Sequence, residues 1–380
     1  MREAHIAGFG TALPYRITTE RFLEVDAQAR SLHGQGPGPR GIVRKLAHGS
    51  GIKFRHVVEP CWLPESERPK DAEDIFTPHR FDPPGHLRAR AWMRSAPKLA
   101  IEAARAALAR WGGDPADITH LVTTSTSGWS EPGISCALID ALGLSPDCQK
   151  QELNFNGCFC GMTCLRVARD FIRAGDAKAA LVVAVETASI QYDCRVTDIG
   201  HLIASVLFAD GAGAFVLAPE GEWRFERAGM SLVPGSRDML RMAPDLISER
   251  PTYRMLLDRE VAPRLARFFA EERGGELLAS LREICGPDRP ALAVHPGGPS
   301  ILEAVEGVFQ KEGWPPQALE HSLATLYNTG NLGAAALLFV LARLLDRVEA
   351  RQRHIATFAF GPGVTVEWGL FKRAAGPTRP

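Results

Sequence analysis

The sequence predicts an α/β protein made of two related halves, and three observations carry that reading. Short segments of strand length recur at Thr119–Ser125, Ala179–Val185 and Ala291–Val294, the second a continuous apolar run as a buried strand requires. Longer segments with apolar residues three and four apart lie between them, as helices require. The alternation of strand and helix occurs once before residue 220 and again after it. The halves are therefore placed at residues 1–220 and 221–380. No Gly/Ser-rich linker separates them, so they are expected to share an interface.

In chain order, His5–Gly10 is a short apolar run closed by glycine and reads as a strand. Residues 30–90 are rich in Gly, Pro, His and Arg and read as surface loops with short helices. Ser95–Trp111 has apolar residues at helical spacing, and Ile134–Leu142 forms a second helix. Glu152–Asn156 reads as a short strand and Cys160–Arg173 as an amphipathic helix. Leu202–Phe208 is a helix and Ala214–Ala218 a strand. In the second half Ser300–Lys311 and Leu332–Leu345 are helices. Ile355–Phe360 and Val364–Phe371 are strands joined by Gly361-Pro362-Gly363.

Composition narrows the function. Lys+Arg and Asp+Glu are equal at 44 each, so no overall field draws in nucleic acid or an anionic membrane. No run approaches the length of a membrane span, and no signal peptide is visible. The eight cysteines are too sparse in 380 residues for a disulfide framework and read as reduced, in a cytoplasmic protein. No Gly-x-Gly-x-x-Gly follows a strand, so a dinucleotide cofactor is unsupported.

Four segments carry candidate chemistry. In Asn154-Phe155-Asn156-Gly157-Cys158-Phe159-Cys160-Gly161, a strand enters a Gly-flanked turn ahead of a helix. A cysteine at a helix N-terminus meets free N–H groups and the positive dipole end, which favour the thiolate. The alternatives are a buried structural cysteine, or a metal site using Cys158, Cys160, Cys164 and His201. The spacing lacks the Cys-x2-Cys pairs of common zinc sites. His295 ends an apolar strand before Pro296-Gly297-Gly298, where glycine lets backbone approach a ligand. Asn331, in Thr329-Gly330-Asn331-Leu332-Gly333, is a candidate side chain or simply a helix N-cap. Phe358-Ala359-Phe360-Gly361-Pro362-Gly363-Val364 reads equally well as a plain hairpin turn.

Together, Gly-Cys-Phe-Cys-Gly, Val-His-Pro-Gly-Gly-Pro, Gly-Asn-Leu-Gly-Ala-Ala and Phe-Gly-Pro-Gly-Val, in this order, resemble the chalcone-synthase-like type III polyketide synthases of the thiolase superfamily. Thr124–Gly133, Leu207–Gly211 and Gly8–Pro14 fit the same pattern, so the resemblance covers nearly the whole chain. It implies a thiolase-like five-layered α/β/α/β/α fold and a homodimer. The implied reaction is decarboxylative condensation of malonyl thioester units onto a Cys-bound acyl starter.

Carried over by position, the resemblance makes Cys158 the acyl-carrying nucleophile and His295 and Asn331 the pair that holds the thioester carbonyl. Phe208 falls on the aromatic gatekeeper and Tyr253 near a second one. Gly297 and Gly298 fall beside the substrate. Lys45 falls near a basic residue that holds coenzyme A phosphate, and Glu131 where an apolar residue often reaches the partner's cavity. The basic segment Arg44-Lys45-Leu46-Ala47-His48 retains only part of the family's charge, which leaves two carriers: coenzyme A, or the phosphopantetheine arm of an acyl carrier protein. The expected substrates are acyl-CoA and malonyl-CoA, with no metal, flavin or nicotinamide. Two other functions share the motifs: a ketosynthase-III-like single condensation, and a non-catalytic partner subunit. A thiolase proper would place a second cysteine before the last glycines, where Phe360-Gly361 stands.

Overall fold

The computed structural model describes residues 2–77, 80–244, 253–286, 288–349 and 351–374. The chain opens with β1 (His5–Ala12), β2 (Tyr15–Thr18), α1 (Thr19–Leu32), α2 (Pro37–Gly49) and β3 (Phe54–Val57). It continues through α3 (Gly85–Trp111), β4 (Ile118–Thr124), α4 (Ile134–Leu142), β5 (Gln149–Glu152), α5 (Cys160–Ala174), β6 (Ala179–Thr187), α6 (Ile199–Leu207) and β7 (Asp210–Ala218). Then come β8 (Trp223–Leu232), β9 (Leu240–Pro244), β10 (Tyr253–Leu257), α7 (Val261–Glu271) and α8 (Arg273–Cys285). The last elements are β11 (Ala291–Val294), α9 (Pro299–Lys311), α10 (Glu320–Thr329), α11 (Ala336–Leu345), β12 (His354–Gly361) and β13 (Thr365–Arg373).

Nine strands pair in the order β11-β12-β13-β8-β1-β7-β6-β4-β5. From β1 outward through β7, β6 and β4 the pairings run antiparallel, antiparallel, parallel. From β8 outward through β13, β12 and β11 they run in the same succession. The two sets meet where β1 touches β8 through only two residue pairs, His5 with Arg224 and Ile6 with Trp223.

Side-chain alternation turns this sheet into five layers, the thiolase-like arrangement. On β6, Leu181, Val183 and Val185 pack outward with α3, while Ala180, Val182 and Ala184 face the centre. On β12, Ala356, Phe358 and Phe360 pack outward with α7 and α9, while Ile355 and Ala359 face the centre. Between these two inner faces lie α5 and α11, with Met162, Leu165, Leu337, Leu338 and Leu341 fully buried. Helices buried on all sides must be apolar nearly all round, and α11 (ALLFVLARLL) is. Truncating a core leucine such as Leu338 to alanine is expected to cost about 2–5 kcal/mol.

Several sequence expectations are corrected. Residues 30–90 are exposed in large part, as expected, but not throughout. They contain the 13-residue helix α2, and Trp62 and Phe76 are buried against Tyr192, with Phe81 packed on both. Local Gly/Pro richness hid a segment whose order comes from distant aromatic partners. The helix expected from Ser95 begins at Gly85 and passes through Pro97. The strand expected at Glu152–Asn156 ends at Glu152. The helix expected from Leu332 starts as a short 3-10 turn, Gly333–Ala335, before α11.

Candidate active site

A cavity of about 1270 Å³ is lined by Cys158, His295, Asn331, Phe208, Gly297, Gly298 and Lys45. Three remote segments thus meet at one place. Cys158 and Asn331 precede the two central helices α5 and α11, and His295 follows β11. The central helices approach so closely that a Cβ added at Gly161 would lie 2.3 Å from the Ala334 carbonyl oxygen. Glycine there lets the Cys158 segment and the Asn331 segment share a junction.

The Cys158 turn is held from the opposite half. Gly157 has φ 91°, and an added Cβ would lie 2.2 Å from Pro362 Cδ. The Gly361-Pro362-Gly363 segment is therefore more than a hairpin turn, because it forms the seat against which the cysteine turn packs. Phe155, two residues earlier, also takes a positive φ of 59°.

Cys158 is half-buried by surface, but its sulfur lies deep among protein atoms. Burial, with the facing Glu186 carboxyl, pushes its thiol up to about 12. This corrects the expectation of a helix-stabilised thiolate. Backbone N–H groups do pull the other way, but desolvation outweighs them. His295 is 2% exposed, and burial lowers its pKa to about 4, so the imidazole is neutral at pH 7. Its backbone N–H donates to the Phe358 oxygen at 2.8 Å, extending the β11–β12 ladder, and its Nδ1 has no partner. Burial thus favours the neutral thiol of Cys158 and the neutral imidazole of His295.

Asn331 is oriented by two bonds. The Gly333 N–H donates to Asn331 Oδ1 at 3.0 Å, and Asn331 Nδ2 donates to the Gly297 oxygen at 3.2 Å. The first fixes which side of the amide is the donor. The second leaves one Nδ2 hydrogen free and ties Asn331 to the loop after His295.

The findings then become specific. The family model for the N-terminal domain of chalcone and stilbene synthases matches residues 78–220, and the model for their C-terminal domain matches residues 290–374. The chain belongs to the chalcone and stilbene synthase family. It is 31% identical over 292 residues to bisdemethoxycurcumin synthase of Oryza sativa subsp. japonica, covering 71% of this chain and 69% of that protein. It is 28% identical over 360 residues to 1,3,6,8-tetrahydroxynaphthalene synthase of Streptomyces griseus, covering 92% and 87%. The crystal structure of PKS-I from the brown alga Ectocarpus siliculosus superposes with a TM-score of 0.87 at 25% identity, covering 98% of this chain and 99% of that one. The C-terminal type III polyketide synthase domain of Steely1 from Dictyostelium gives 0.83 at 24%, covering 98% and 100%. As a type III polyketide synthase, the protein is a condensing acyltransferase.

Within this family frame the remaining residues fall as follows. Lys45 shares one face of α2 with Ile42, Leu46 and Gly49, and all four line the cavity. Glu131 is exposed and stands outside the cavity lining, beside Trp129 at 57% exposure. Tyr253 opens β10, and its side chain lies outside the described residues. Cys160 and Cys164 are buried in the central layer, with Cys160 Sγ on the Leu153 oxygen at 3.2 Å. Among the described residues no three His, Cys, Asp or Glu side chains gather as a metal-binding group.

Glu186 is a cavity residue that sequence reading missed. It ends β6 fully buried, accepts from Thr126 Oγ1 at 2.7 Å and from the Ala334 N–H at 3.3 Å, and burial raises its pKa. The available signal was a carboxylate closing an otherwise apolar strand.

Proposed function

We propose that the chain carries an acyl starter on Cys158 and extends it with malonyl thioester units by decarboxylative Claisen condensation, giving a polyketide. The observation that carries this reading is the convergence of Cys158, His295 and the oriented amide of Asn331 on one cavity. In loading, Cys158 sulfur attacks the starter thioester carbonyl as His295 accepts its proton, and the carrier thiol leaves with a proton. Malonyl thioester then binds and loses CO2, and the electron pair becomes an enolate. His295 and Asn331 Nδ2 supply donors to the enolate oxygen, as an oxyanion hole does. The enolate carbon attacks the Cys158 acyl carbonyl, Cys158 sulfur departs, and the lengthened β-ketoacyl chain rests on the carrier. Phe208 presents an apolar wall that disfavours the malonyl carboxylate over CO2.

Coenzyme A is the carrier this reading prefers, with Lys45 at the cavity mouth facing its phosphates. The exposed Glu131 and Trp129 loop supports a homodimer contact. The eight free cysteines fit a reducing compartment such as the cytoplasm. No helix among the described residues is long and apolar enough to cross a membrane. The test is incubation with a panel of acyl-CoA starters and malonyl-CoA, read by mass spectrometry. Products longer than one extension distinguish this reading from a single condensation. No product and no CO2 release from any pair would refute it.

A further inference from the structure

β6 runs apolar from Ala179 to Val185 and then places Glu186, 1% exposed, on the cavity wall. Burying a carboxyl costs free energy unless its oxygens are paired. An apolar residue would close the strand at lower cost, so the use of the carboxyl lies in the groups it binds.

Those groups belong to two separate segments. Glu186 Oε1 accepts from the Thr126 hydroxyl at 2.7 Å and from the Thr126 N–H at 3.2 Å, and Oε2 accepts from the same N–H at 3.1 Å. These bonds tie the carboxyl to the segment that follows β4. Oε1 also accepts from the Ala334 N–H at 3.3 Å, in the short 3-10 turn Gly333–Ala335 that leads into α11. Backbone donors in the first turn of a helix have no helical partner of their own, and the carboxyl supplies one.

The same turn orients Asn331. The Gly333 N–H donates to Asn331 Oδ1 at 3.0 Å, which sets where Nδ2 points. Gly333 has φ 54°, and a Cβ added there would lie 2.9 Å from Glu186 Cγ and 3.2 Å from its Oε1. The backbone of Asn331 is anchored elsewhere, to the Leu207 oxygen and the Ala209 N–H. Backbone and amide of Asn331 therefore have different supports, and the support for Oδ1 runs through Gly333 and Ala334 to Glu186. Truncating Glu186 removes the Ala334 acceptor and opens space beside Gly333. The Nδ2 bond to the Gly297 oxygen would remain and would not hold Oδ1.

We infer that Glu186 is a positioning residue for the oxyanion donor: through Gly333 and Ala334 it fixes the Asn331 amide, and so the direction of its free Nδ2 hydrogen. It takes no part in bond making or proton transfer. The consequence for rate rests on the condensing-enzyme reading. The consequence for amide geometry does not, so the two are measured apart.

The chain holds four asparagines, Asn154, Asn156, Asn328 and Asn331, so selective nitrogen-15 labelling of asparagine gives four side-chain amide signals, and Asn331→Asp identifies the relevant one. In Glu186→Ala that signal should move or broaden, while that of Asn328, exposed on α10, stays. Malonyl-CoA decarboxylation without starter should lose at least about tenfold in kcat with KM nearly unchanged, since the donor acts in the transition state. Glu186→Gln keeps an oxygen that accepts from Thr126 and Ala334, and should restore the signal and most of the rate. Thr126→Val loosens the carboxyl from its other side and should change the same two readouts less, so it decides should Glu186→Ala fail to fold. An unmoved Asn331 signal, an unchanged kcat or a loss confined to KM would overturn the proposal. Glu186→Gln as slow as Glu186→Ala would place the carboxyl itself in the chemistry and overturn it equally. A parent enzyme that releases no CO2 would instead refute the condensing reading, with the amide signals still testing how Asn331 is held.

Discussion

Asn331 and Phe208 are bridged through their backbones. The Asn331 N–H donates to the Leu207 oxygen at 2.8 Å, and the Ala209 N–H donates to the Asn331 oxygen at 2.9 Å, in a parallel bridge centred on Phe208. The apolar wall and the proposed oxyanion donor are therefore one rigid unit, although 123 residues apart in sequence. Phe208→Leu should keep most malonyl decarboxylation. Phe208→Ala should lower it about tenfold, or ~1.4 kcal/mol of barrier, measured as CO2 release without starter. Equal rates in Phe208→Ala and the parent would remove Phe208 from that role.

Asn331→Ala should lower decarboxylation by about 10²–10³. Asn331→Asp is the sharper probe. It keeps the oxygen that accepts from Gly333 but replaces the Nδ2 donor with an acceptor. A pure helix-capping role predicts near-parent activity for Asn331→Asp, and the oxyanion role predicts loss comparable to alanine. Cys158→Ala should abolish chain extension while leaving decarboxylation measurable.

Starter acylation should map to Cys158 and not to Cys160 or Cys164. Cys158 lines the cavity, whereas the other two are buried in the central layer. Peptide mass mapping after incubation with starter thioester checks this. An adduct confined to Cys160 would overturn the assignment.

The pH behaviour follows from the two desolvated groups. Cys158 has its pKa raised to about 12, so in the resting enzyme its direct alkylation should keep rising with pH beyond the ordinary thiol value of 9.0. Removing the facing charge in Glu186→Gln should shift that profile downward. His295 has its pKa lowered to about 4, so the neutral base persists through mild acid and is lost only as pH falls through that value. An imidazole titration for His295 near 6.5, observed by NMR, would contradict this.

Gly161→Ala tests the junction between the central helices. The added methyl would lie 2.3 Å from the Ala334 oxygen, so α5 and the segment leading into α11 must separate. Overpacking of this kind costs about 1–3 kcal/mol. A lower Tm together with a disproportionate loss of condensation is expected, because the shift also moves Asn331 relative to Cys158. Parent-like Tm and rate would show that the junction is loose.

The sequence by itself determined the α/β class and most strands and helices, and it singled out Cys158, His295 and Asn331, which line one cavity. These signals are local. A run of buried strand residues is apolar because both faces are covered, and a reactive side chain at an element's end needs small neighbours that let substrate approach. Only the tertiary structure decided the rest. Gly361-Pro362-Gly363 looks like a turn until it is seen packed beneath Gly157 from the other half. Within residues 30–90, the buried part is recognised only when Trp62 and Phe76 are seen against Tyr192 with Phe81 packed on both. The charge states of Cys158 and His295 depend on desolvation, a property of everything packed around them rather than of adjacent residues. Glu186 is a single charged residue on a strand, and its place on the cavity wall follows from which distant chain segments enclose it.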